Sequence, residues 1–306
     1  GLARGKNPNG KTIPIMLWPR AVKDAKGMTA LNAGVRGCDR LEHNIKFIWN
    51  TQGNTLVNQH GGVNQIREIL EDGKLVETIV GVDNQMTPSA RFADYVLPDT
   101  MNQEIDDMQG DAYAVGDYNY IVACPKAADI LWEQKPNYWI MTEMAKRFGL
   151  EEKFTEGRTQ KEWIRWGYEQ TLAKAAKQPD PIKLPGFDEF WAKGFVKYHM
   201  GRDSGIVLKA FREDPEKHPL KTPSGRIEIY SERLAKIAET WELPKTKGQE
   251  IHPIPRFIAT AEMLGQGDPL EQKYPLEVYG YHGAGRTHST YLNVPWLRAL
   301  HPDELM

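Results

Sequence analysis

Side chains that can bind a phosphate, a sugar or a nucleobase follow three short apolar runs, at 45–49, 76–82 and 95–97. In chain order they are Gly53, Asn54, His60, Asp83, Thr87, Asp99, Glu104 and Asp107. Carboxylates accept hydrogen bonds from sugar hydroxyls and from the N–H groups of a base, whereas imidazole and backbone N–H groups donate to phosphate oxygens. The residue types in this stretch therefore indicate a nucleotide site.

The three apolar runs have the length of short strands, and each segment between them can hold a short helix. Strands that alternate with helices are typical of a parallel α/β sheet. In such a sheet, ligands bind beyond the carboxyl ends of the strands. We therefore predict an α/β fold with a parallel, dinucleotide-binding-like sheet flanked by helices.

Single residues of this stretch leave alternatives open. The turn at Gly53 is not a G-x-G-x-x-G fingerprint, and Gly is also the usual residue of any tight turn. Asp83 stands where dinucleotide folds place an acid for sugar hydroxyls, but it follows Gly53 by about 30 residues instead of about 20. It can instead be a turn or N-cap residue. Thr87 and Pro88 suit the start of a short helix, whose N–H groups can bind an anion. His60 can donate to a phosphate or be simply solvated.

The composition is that of a globular protein and excludes several classes of function. The 306 residues suffice for one large or two ordinary domains, and the formal net charge is −2. That charge gives no reason to expect nucleic-acid or membrane-surface binding. No apolar run approaches the roughly 20 residues that span a bilayer. Cys38 and Cys124 are too few and too far apart for a metal cage or a disulfide scaffold.

A longer pattern of motifs runs through the same region. It is a strand followed by Gly-Asn, then Asp-x-x-x-Thr-x-x-Ala-x-x-Ala-Asp-x-x-Leu-Pro, then Glu. Its members here are Gly53, Asn54, Asp83, Thr87, Ala90, Ala93, Asp94, Leu97, Pro98 and Glu104. With TEGRTQKEW, KAFREDP, TPSGRIEIYS and RTHSTYLNV further on, the chain resembles the catalytic subunits of the dimethyl sulfoxide reductase family. The resemblance is greatest to the membrane-anchored bacterial enzymes of anaerobic metabolism.

The resemblance implies that the chain is an internal fragment of a molybdenum oxidoreductase. Such enzymes hold molybdenum between two molybdopterin guanine dinucleotides and reduce an S-oxide or N-oxide by oxygen-atom transfer in anaerobic respiration. An iron–sulfur cluster is expected in an N-terminal part that is not recognisable here. Electrons are expected from an iron–sulfur subunit and a membrane anchor subunit, at a periplasmic, membrane-associated location. The fragment alone is expected to be inactive.

The resemblance also implies roles for single residues. It assigns the turn at Gly53 and Asn54 to backbone contact with a cofactor, and Asp107 to accepting hydrogen bonds from guanine N1 and N2. It implies no catalytic residue and no metal ligand within the chain. The motif that lies beside the pterin in the family is matched by Arg286, His288 and Ser289.

For the organisation of the chain we predict an α/β cofactor-binding region over 1–250, with a long irregular connection at 175–225. A linker is predicted at 251–273. The resemblance implies that 274–306 begin a truncated C-terminal β-barrel-like cofactor-binding domain. Apolar periodicity further predicts helices at 136–150, 159–174 and 231–241, and strands at 227–230 and 274–281.

Two other classes of function remain open. The strand–helix alternation also suits an NAD-dependent dehydrogenase, although the glycine-rich fingerprint of such enzymes is missing. The fragment can also be a non-enzymatic nucleotide-binding module. Binding of guanine nucleotides without binding of NAD would favour our main prediction over the dehydrogenase.

Overall fold

The computed structural model describes residues 9–110, 118–177, 181–199, 206–242, 250–259, 263, 265, 267, 269–278, 280 and 294–300. Backbone proximity divides the chain into two compact units, Gly1–Ile227 and Glu228–Met306. The predicted linker at 251–273 lies within the second unit, and the predicted domain boundaries stay a prediction.

The regular elements are as follows. The strands are β1 (Phe47–Thr51), β2 (Thr78–Asp83), β3 (Tyr95–Pro98), β4 (Asp107–Gly110), β5 (Tyr118–Cys124) and β6 (Phe195–His199). The α-helices are α1 (Trp18–Lys23), α2 (Ala30–Ala33), α3 (Thr55–Asn58), α4 (Val63–Glu71), α5 (Asn137–Arg147), α6 (Glu151–Thr155), α7 (Gln160–Ala176), α8 (Phe187–Lys193), α9 (Lys209–Glu213), α10 (Glu232–Thr240), α11 (Pro269–Lys273) and α12 (Pro295–Leu300). Short 3₁₀ helices span Ile15–Leu17, Ala90–Phe92 and Asn102–Glu104.

Strands β1, β2 and β3 form a parallel sheet with β2 at its centre. Phe47 pairs with Thr78 at the start of the first ladder, and Val80 pairs with Tyr95 at the start of the second. The prediction of three parallel strands in one sheet is confirmed, and each strand boundary lies within two residues of the predicted one.

One face of this sheet is covered by helices. Ile66, Ile69 and Leu70 form an apolar stripe on α4 because they recur at helical spacing. The stripe packs in one buried cluster with Ile79 of β2 and with Trp18 of α1. The amphipathic helix that connects β1 to β2 therefore stabilises the strands that it joins.

The opposite face is covered by α5. Successive side chains of a strand point to opposite faces, so Val80 and Val82 lie on the same face of β2. Both pack against Ile140 of α5, with Trp49 and Leu97 beside them. The helix predicted at 136–150 is confirmed as Asn137–Arg147, and it makes the central strand apolar on both faces, as in other parallel sheets.

A second sheet is antiparallel, with the order β4-β5-β6. Its buried cluster includes Ile121 of β5, Tyr168 of α7 and Phe190 of α8, and the last two rings stack with centroids 4.3 Å apart. The prediction of an irregular connection at 175–225 is wrong for 187–199, which form α8 and β6. The local richness in Pro, Gly and Lys does not reveal these elements, because they are stabilised by partners far along the chain.

Both strands predicted near the C-terminus are wrong where the structure describes them. Residues 227–230 and 274–278 form no strand. Ile227 and Ile229 alternate with polar residues, as in a strand, but their side chains are 67% and 76% exposed. Alternation alone does not form a strand without a neighbour to pair with. Residues 279 and 281 lie outside the described residues.

Two other predicted helices are confirmed with their caps. Thr159 accepts a hydrogen bond from the backbone N–H of Glu162 at the start of α7, and the carboxylate of Glu162 accepts one from the N–H of Thr159. This reciprocal arrangement is a capping box. Ser231 caps α10 by accepting from the N–H of Leu234.

Candidate functional site

The loops that follow β1, β2 and β3 lie side by side at the carboxyl edge of the parallel sheet. The N–H of Gln52 donates to the carbonyl of Val82 at 2.7 Å, and the N–H of Asp99 donates to the carbonyl of Asp83 at 3.1 Å. These bonds continue the strand pairing past the ends of the ladders. The sheet therefore brings together the segments in which the sequence predicts ligand-binding residues.

Asp99 is the buried centre of this edge. Its side chain is 1% exposed. Oδ2 accepts from Nε2 of Gln52 at 2.6 Å, and Oδ1 accepts from the N–H of Thr100 at 2.8 Å. Gln52 has a φ of +48°, a left-handed conformation that non-glycine residues seldom adopt. The backbone of β1 thus turns sharply at the residue that contacts Asp99.

Asn54 and Ser89 join the first loop to the turn before β3. Oδ1 of Asn54 accepts from both the N–H and the hydroxyl of Ser89, at 2.9 and 2.7 Å. The hydroxyl of Ser89 in turn accepts from the N–H of Val57 at 3.1 Å. Two segments that the sequence predicts as parts of one site are therefore held together by a buried serine.

The turn at Gly53 is fixed by its own neighbours. Nδ2 of Asn50 donates to the carbonyl of Gly53 at 2.7 Å, and Oδ1 of Asn50 accepts from the hydroxyl of Thr55 at 2.8 Å. A Cβ at Gly53 would lie 3.2 Å from Cγ2 of Thr55. The position is therefore tight for any larger residue.

The sequence predicts Thr87 as the N-cap of a short helix. Its hydroxyl accepts from the N–H of Ala90 at 3.2 Å, but the helix begins two residues later than predicted, with Ser89 at its N-cap. The helix that follows is one short 3₁₀ turn, Ala90–Phe92. Asp94 is structural, since its carboxylate accepts from the N–H of Ile79 at 2.8 Å.

Asp83 ends β2 and is half-buried. Burial raises the pKa of its carboxyl, and the nearby charge of Asp99 adds to this effect, while the N–H groups of Asn84 and Gln85 oppose it. Oδ1 accepts from the N–H of Asn84 at 2.8 Å. Within the described part of the chain no cationic side chain pairs with Asp83, so its carboxylate is able to accept from a ligand.

His60 lies two residues beyond α3 and contacts Trp18. Nε2 of His60 accepts a hydrogen bond from Nε1 of Trp18 at 2.8 Å, and the two rings meet edge to face. Burial lowers the pKa of His60 below its ordinary value. Trp18 itself belongs to the core cluster that covers the sheet.

Two polar atoms near this edge have no hydrogen-bond partner among the described residues. They are Oγ1 of Thr100 and Oδ1 of Asn137, both buried. Thr100 directly follows Asp99. Asn137 is the first residue of α5, and Lys135, two residues before it, pairs with Asp99 in an isolated parallel β-bridge. Buried polar atoms are normally paired, so each of them is suited to a bound group.

Comparison with known proteins shows which family the sheet region resembles. The family model described as "Molybdopterin oxidoreductase" matches residues 3–147. The matched residues contain the whole parallel sheet and the edge described above. Residues 3–147, just under half of the chain, are therefore similar to the molybdopterin oxidoreductases.

Individual relatives match beyond that region. A putative dimethyl sulfoxide reductase chain of Escherichia coli K12 is 45% identical over 295 residues, which is 96% of this chain and 35% of the relative. A dimethyl sulfoxide reductase of Haemophilus influenzae is 43% identical over 300 residues, 98% of this chain and 36% of the relative. A dimethyl sulfoxide/trimethylamine N-oxide reductase of Cereibacter sphaeroides is 37% identical over 237 residues, 76% of this chain and 26% of the relative. The matched part of the chain thus spans between a quarter and just over a third of the length of these relatives.

A solved structure supports the fold. Acetylene hydratase from Pelobacter acetylenicus aligns with a TM-score of 0.60 and 20% sequence identity, over 94% of this chain and 32% of that protein. At this identity the similarity concerns the fold alone.

The molybdopterin oxidoreductase family implies a molybdenum–molybdopterin cofactor. The carboxyl edge suits part of such a cofactor, because it offers both hydrogen-bond donors and hydrogen-bond acceptors. Asp83 can accept from hydroxyl or N–H groups, and the unpartnered hydroxyl of Thr100 can donate or accept. His60 can donate through Nδ1. The described residues contain no group of three or more His, Cys, Asp or Glu that could hold a metal ion.

Asp107 does not lie among these residues. It begins β4 in the antiparallel sheet and is exposed, and its Oδ1 accepts from the N–H of Met108 at 2.7 Å. Its neighbour Asp106 is structural, since it accepts from the N–H of Lys126 at 2.8 Å and pairs with Lys161 at 3.3 Å. The role predicted for Asp107 stays a prediction. Arg286, His288 and Ser289 lie outside the described residues.

Sequence reasoning missed three residues of this edge, namely Gln52, Ser89 and Thr100. Gln52 and Ser89 act through contacts 47 and 35 residues away along the chain, which no local pattern reveals. A signal was present for Ser89, which lies between the predicted cap Thr87 and Ala90 of the family pattern. Among the helices that the structure describes, none is long and apolar enough to cross a membrane.

Proposed function

We propose that this chain is the cofactor-binding portion of a molybdenum oxidoreductase that reduces an S-oxide or an N-oxide in anaerobic respiration. The observation that carries the proposal is the joined carboxyl edge within residues 3–147, in a chain 43–45% identical to dimethyl sulfoxide reductases. When bound, the molybdenum cofactor supplies the oxygen-atom and electron transfer, and the protein supplies its binding and orientation.

The cofactor form that we propose is a bis(molybdopterin guanine dinucleotide), and the carboxyl edge would hold one dinucleotide. Asp83 would accept from sugar hydroxyls, and Nδ1–H of His60 would donate to a phosphate oxygen. The turn at Gly53 and Asn54 would approach the cofactor with its backbone, next to the capped turn at Thr87. These contacts bind and orient the cofactor and take no direct part in the redox chemistry.

Further contacts would come from outside the carboxyl edge. Asp107 would accept from guanine N1 and N2, and Arg286, His288 and Ser289 would contact the pterin portion. An iron–sulfur cluster, an iron–sulfur subunit and a membrane anchor subunit would complete the periplasmic enzyme. We propose that the 306-residue chain alone is inactive.

The proposal is tested in two steps. Titration of the 306-residue chain with guanosine diphosphate and with NAD should give binding of the first only; binding of NAD alone would favour a dehydrogenase. Full-length protein, produced anaerobically with molybdate, should contain molybdenum and guanine nucleotide and should oxidise a reduced viologen dye with dimethyl sulfoxide or trimethylamine N-oxide. Full-length protein that lacks molybdenum and reduces neither oxide would overturn the proposal.

The residue assignments are tested with Asp83→Asn, against Asp72→Asn as the matched control. Asp72 accepts from the N–H of Lys74 in the turn that precedes β2, at the other end of the strand. Cofactor content should fall in Asp83→Asn and remain that of the wild type in the control. Equal cofactor content in the two variants would remove Asp83 from the site.

A further inference from the structure

The contact between Trp18 and His60 does more than pack two rings. Trp18 is buried, and its side chain lies in one cluster with Val22, Leu56 and Ile66. A buried indole N–H requires an acceptor, because leaving it unpaired costs free energy. Nε2 of His60 is that acceptor, at 2.8 Å.

This hydrogen bond determines the protonation of the imidazole. Indole Nε1 is only a donor, so Nε2 of His60 must present its lone pair. The proton of the neutral ring is then on Nδ1. The lowered pKa that burial causes at His60 is consistent with a neutral ring at pH 7.

Among the residues that the structure describes, the imidazole of His60 makes one hydrogen bond, which Nε2 accepts from Trp18. The Nδ1–H group therefore has no acceptor among these residues. The side chain is only partly buried and therefore accessible to a ligand. It follows α3, the first turn beyond the carboxyl end of β1. A fixed N–H donor in this place suits an anionic oxygen.

We infer that Trp18 is a positioning residue that holds His60 as an Nδ1–H donor to a phosphate oxygen of the bound dinucleotide. The identity of the ligand rests on the proposed function, whereas the protonation state of the imidazole does not. Trp18 does not touch the ligand; it acts through His60.

The state of the ring is tested by ¹⁵N NMR of the chain labelled at its eight histidines. Loss of one resonance pattern in His60→Gln assigns His60. We expect a protonated Nδ1 and an unprotonated Nε2 in the wild type at pH 7. Trp18→Phe keeps most of the apolar packing and removes the N–H, so Nε2 should gain a proton in part of the molecules. A wild-type His60 with its proton on Nε2 would overturn the inference.

The positioning role is tested by titration with guanosine diphosphate as the probe. Trp18→Phe should weaken binding about 2- to 10-fold, the effect of losing one hydrogen bond. His60→Ala should weaken binding by at least as much, because it removes the N–H donor that Trp18 holds in place. Unchanged affinity in Trp18→Phe, with thermal unfolding showing that the variant is folded, would overturn the positioning role. Absence of binding by the wild type would overturn the phosphate assignment, whereas the NMR result would still decide the state of His60.

Discussion

Nε2 of Gln52 donates a 2.6 Å hydrogen bond to Oδ2 of Asp99, across the end of β2. The bond links the loop that follows one edge strand to the loop that follows the other. Because Asp99 is buried and the described residues provide no cation for it, Gln52 is the main side-chain donor to this carboxylate. The stability of the whole carboxyl edge therefore depends on a residue that the sequence shows only as part of a turn.

Replacement of Gln52 by Ala should lower the free energy of unfolding by about 1.5–3 kcal/mol, because a hydrogen bond to a buried charged group is lost. Urea denaturation measures this change. Gln85→Ala is the control, since the side chain of Gln85 is exposed in the loop after β2 and its removal should change stability by less than about 0.5 kcal/mol. Equal effects of the two variants would show that the Gln52–Asp99 bond is not stabilising.

Ser89→Ala should reduce both stability and ligand binding. The substitution leaves Oδ1 of Asn54 and the N–H of Val57 each without one partner, at an expected loss of about 1–3 kcal/mol. Ser231→Ala removes the cap of α10 and should cost about 1 kcal/mol. We expect only Ser89→Ala to weaken guanosine diphosphate binding, as measured by titration calorimetry. Equal binding by both variants would contradict a role for the Asn54–Ser89 contact in the site.

Asp83→Asn should make the protein more stable at pH 7 and bind its ligand less well. The pKa of Asp83 is raised from 3.8 by burial, so the native state takes up a proton more readily than the unfolded chain. An ionised Asp83 at pH 7 therefore opposes folding, and the stability of the wild type rises as the pH falls through the raised pKa. Thermal unfolding of both proteins between about pH 4 and pH 7 should show their difference shrinking toward acid pH. A less stable Asp83→Asn at pH 7 would contradict this account.

His60 should produce a pH dependence of opposite sign. Its pKa is lowered from 6.5 by burial, so the unfolded chain binds the proton more tightly than the native state. Stability should be full above pH 6.5 and decrease as the pH falls toward the lowered pKa. His60→Gln has no titrating group at this position and should show a flatter profile than the wild type over the same range. Superimposable profiles would mean that His60 titrates alike in both states.

Asp107→Ala in the full-length protein should reduce its content of molybdenum and of guanine nucleotide. Losing a charge-assisted hydrogen bond to the base costs about 1.5–3 kcal/mol, a factor of roughly 10 to 150 in affinity. Asp106→Asn is the matched control, because an amide can still accept from the N–H of Lys126 and so preserve the fold. Metal analysis of the purified variants measures the effect. Full cofactor content in Asp107→Ala would make the guanine assignment wrong.

The parallel sheet could be predicted from the sequence because its signals are local. Apolar runs of strand length and an amphipathic stripe at Ile66, Ile69 and Leu70 give strand and helix without knowledge of the partners. The carboxyl ends then follow from the rule for parallel sheets. Ser89 joins Asn54 to the turn at Thr87, whereas the roles predicted for these residues in binding stay predictions.

The rest depends on contacts that composition does not encode. Phe187, Phe190 and Val196 pack against Tyr168 and Ile121, so a segment that is irregular by its Pro and Gly content forms α8 and β6. The reverse holds for 227–230, where strand-like alternation has no adjacent strand in the described part of the chain. Tertiary pairing decides both cases, and a single sequence does not show it.

The three hydrogen bonds at Ser89 also bear on the thermodynamics of binding. They fix the loop after β1 to the turn before β3 through groups of the protein itself, so association need not order these segments. Immobilising a flexible side chain or loop usually costs about 0.5–1.5 kcal/mol per residue ordered. At this preorganised edge that entropy is lost during folding, and the affinity for a ligand is set by the contacts formed and the water displaced.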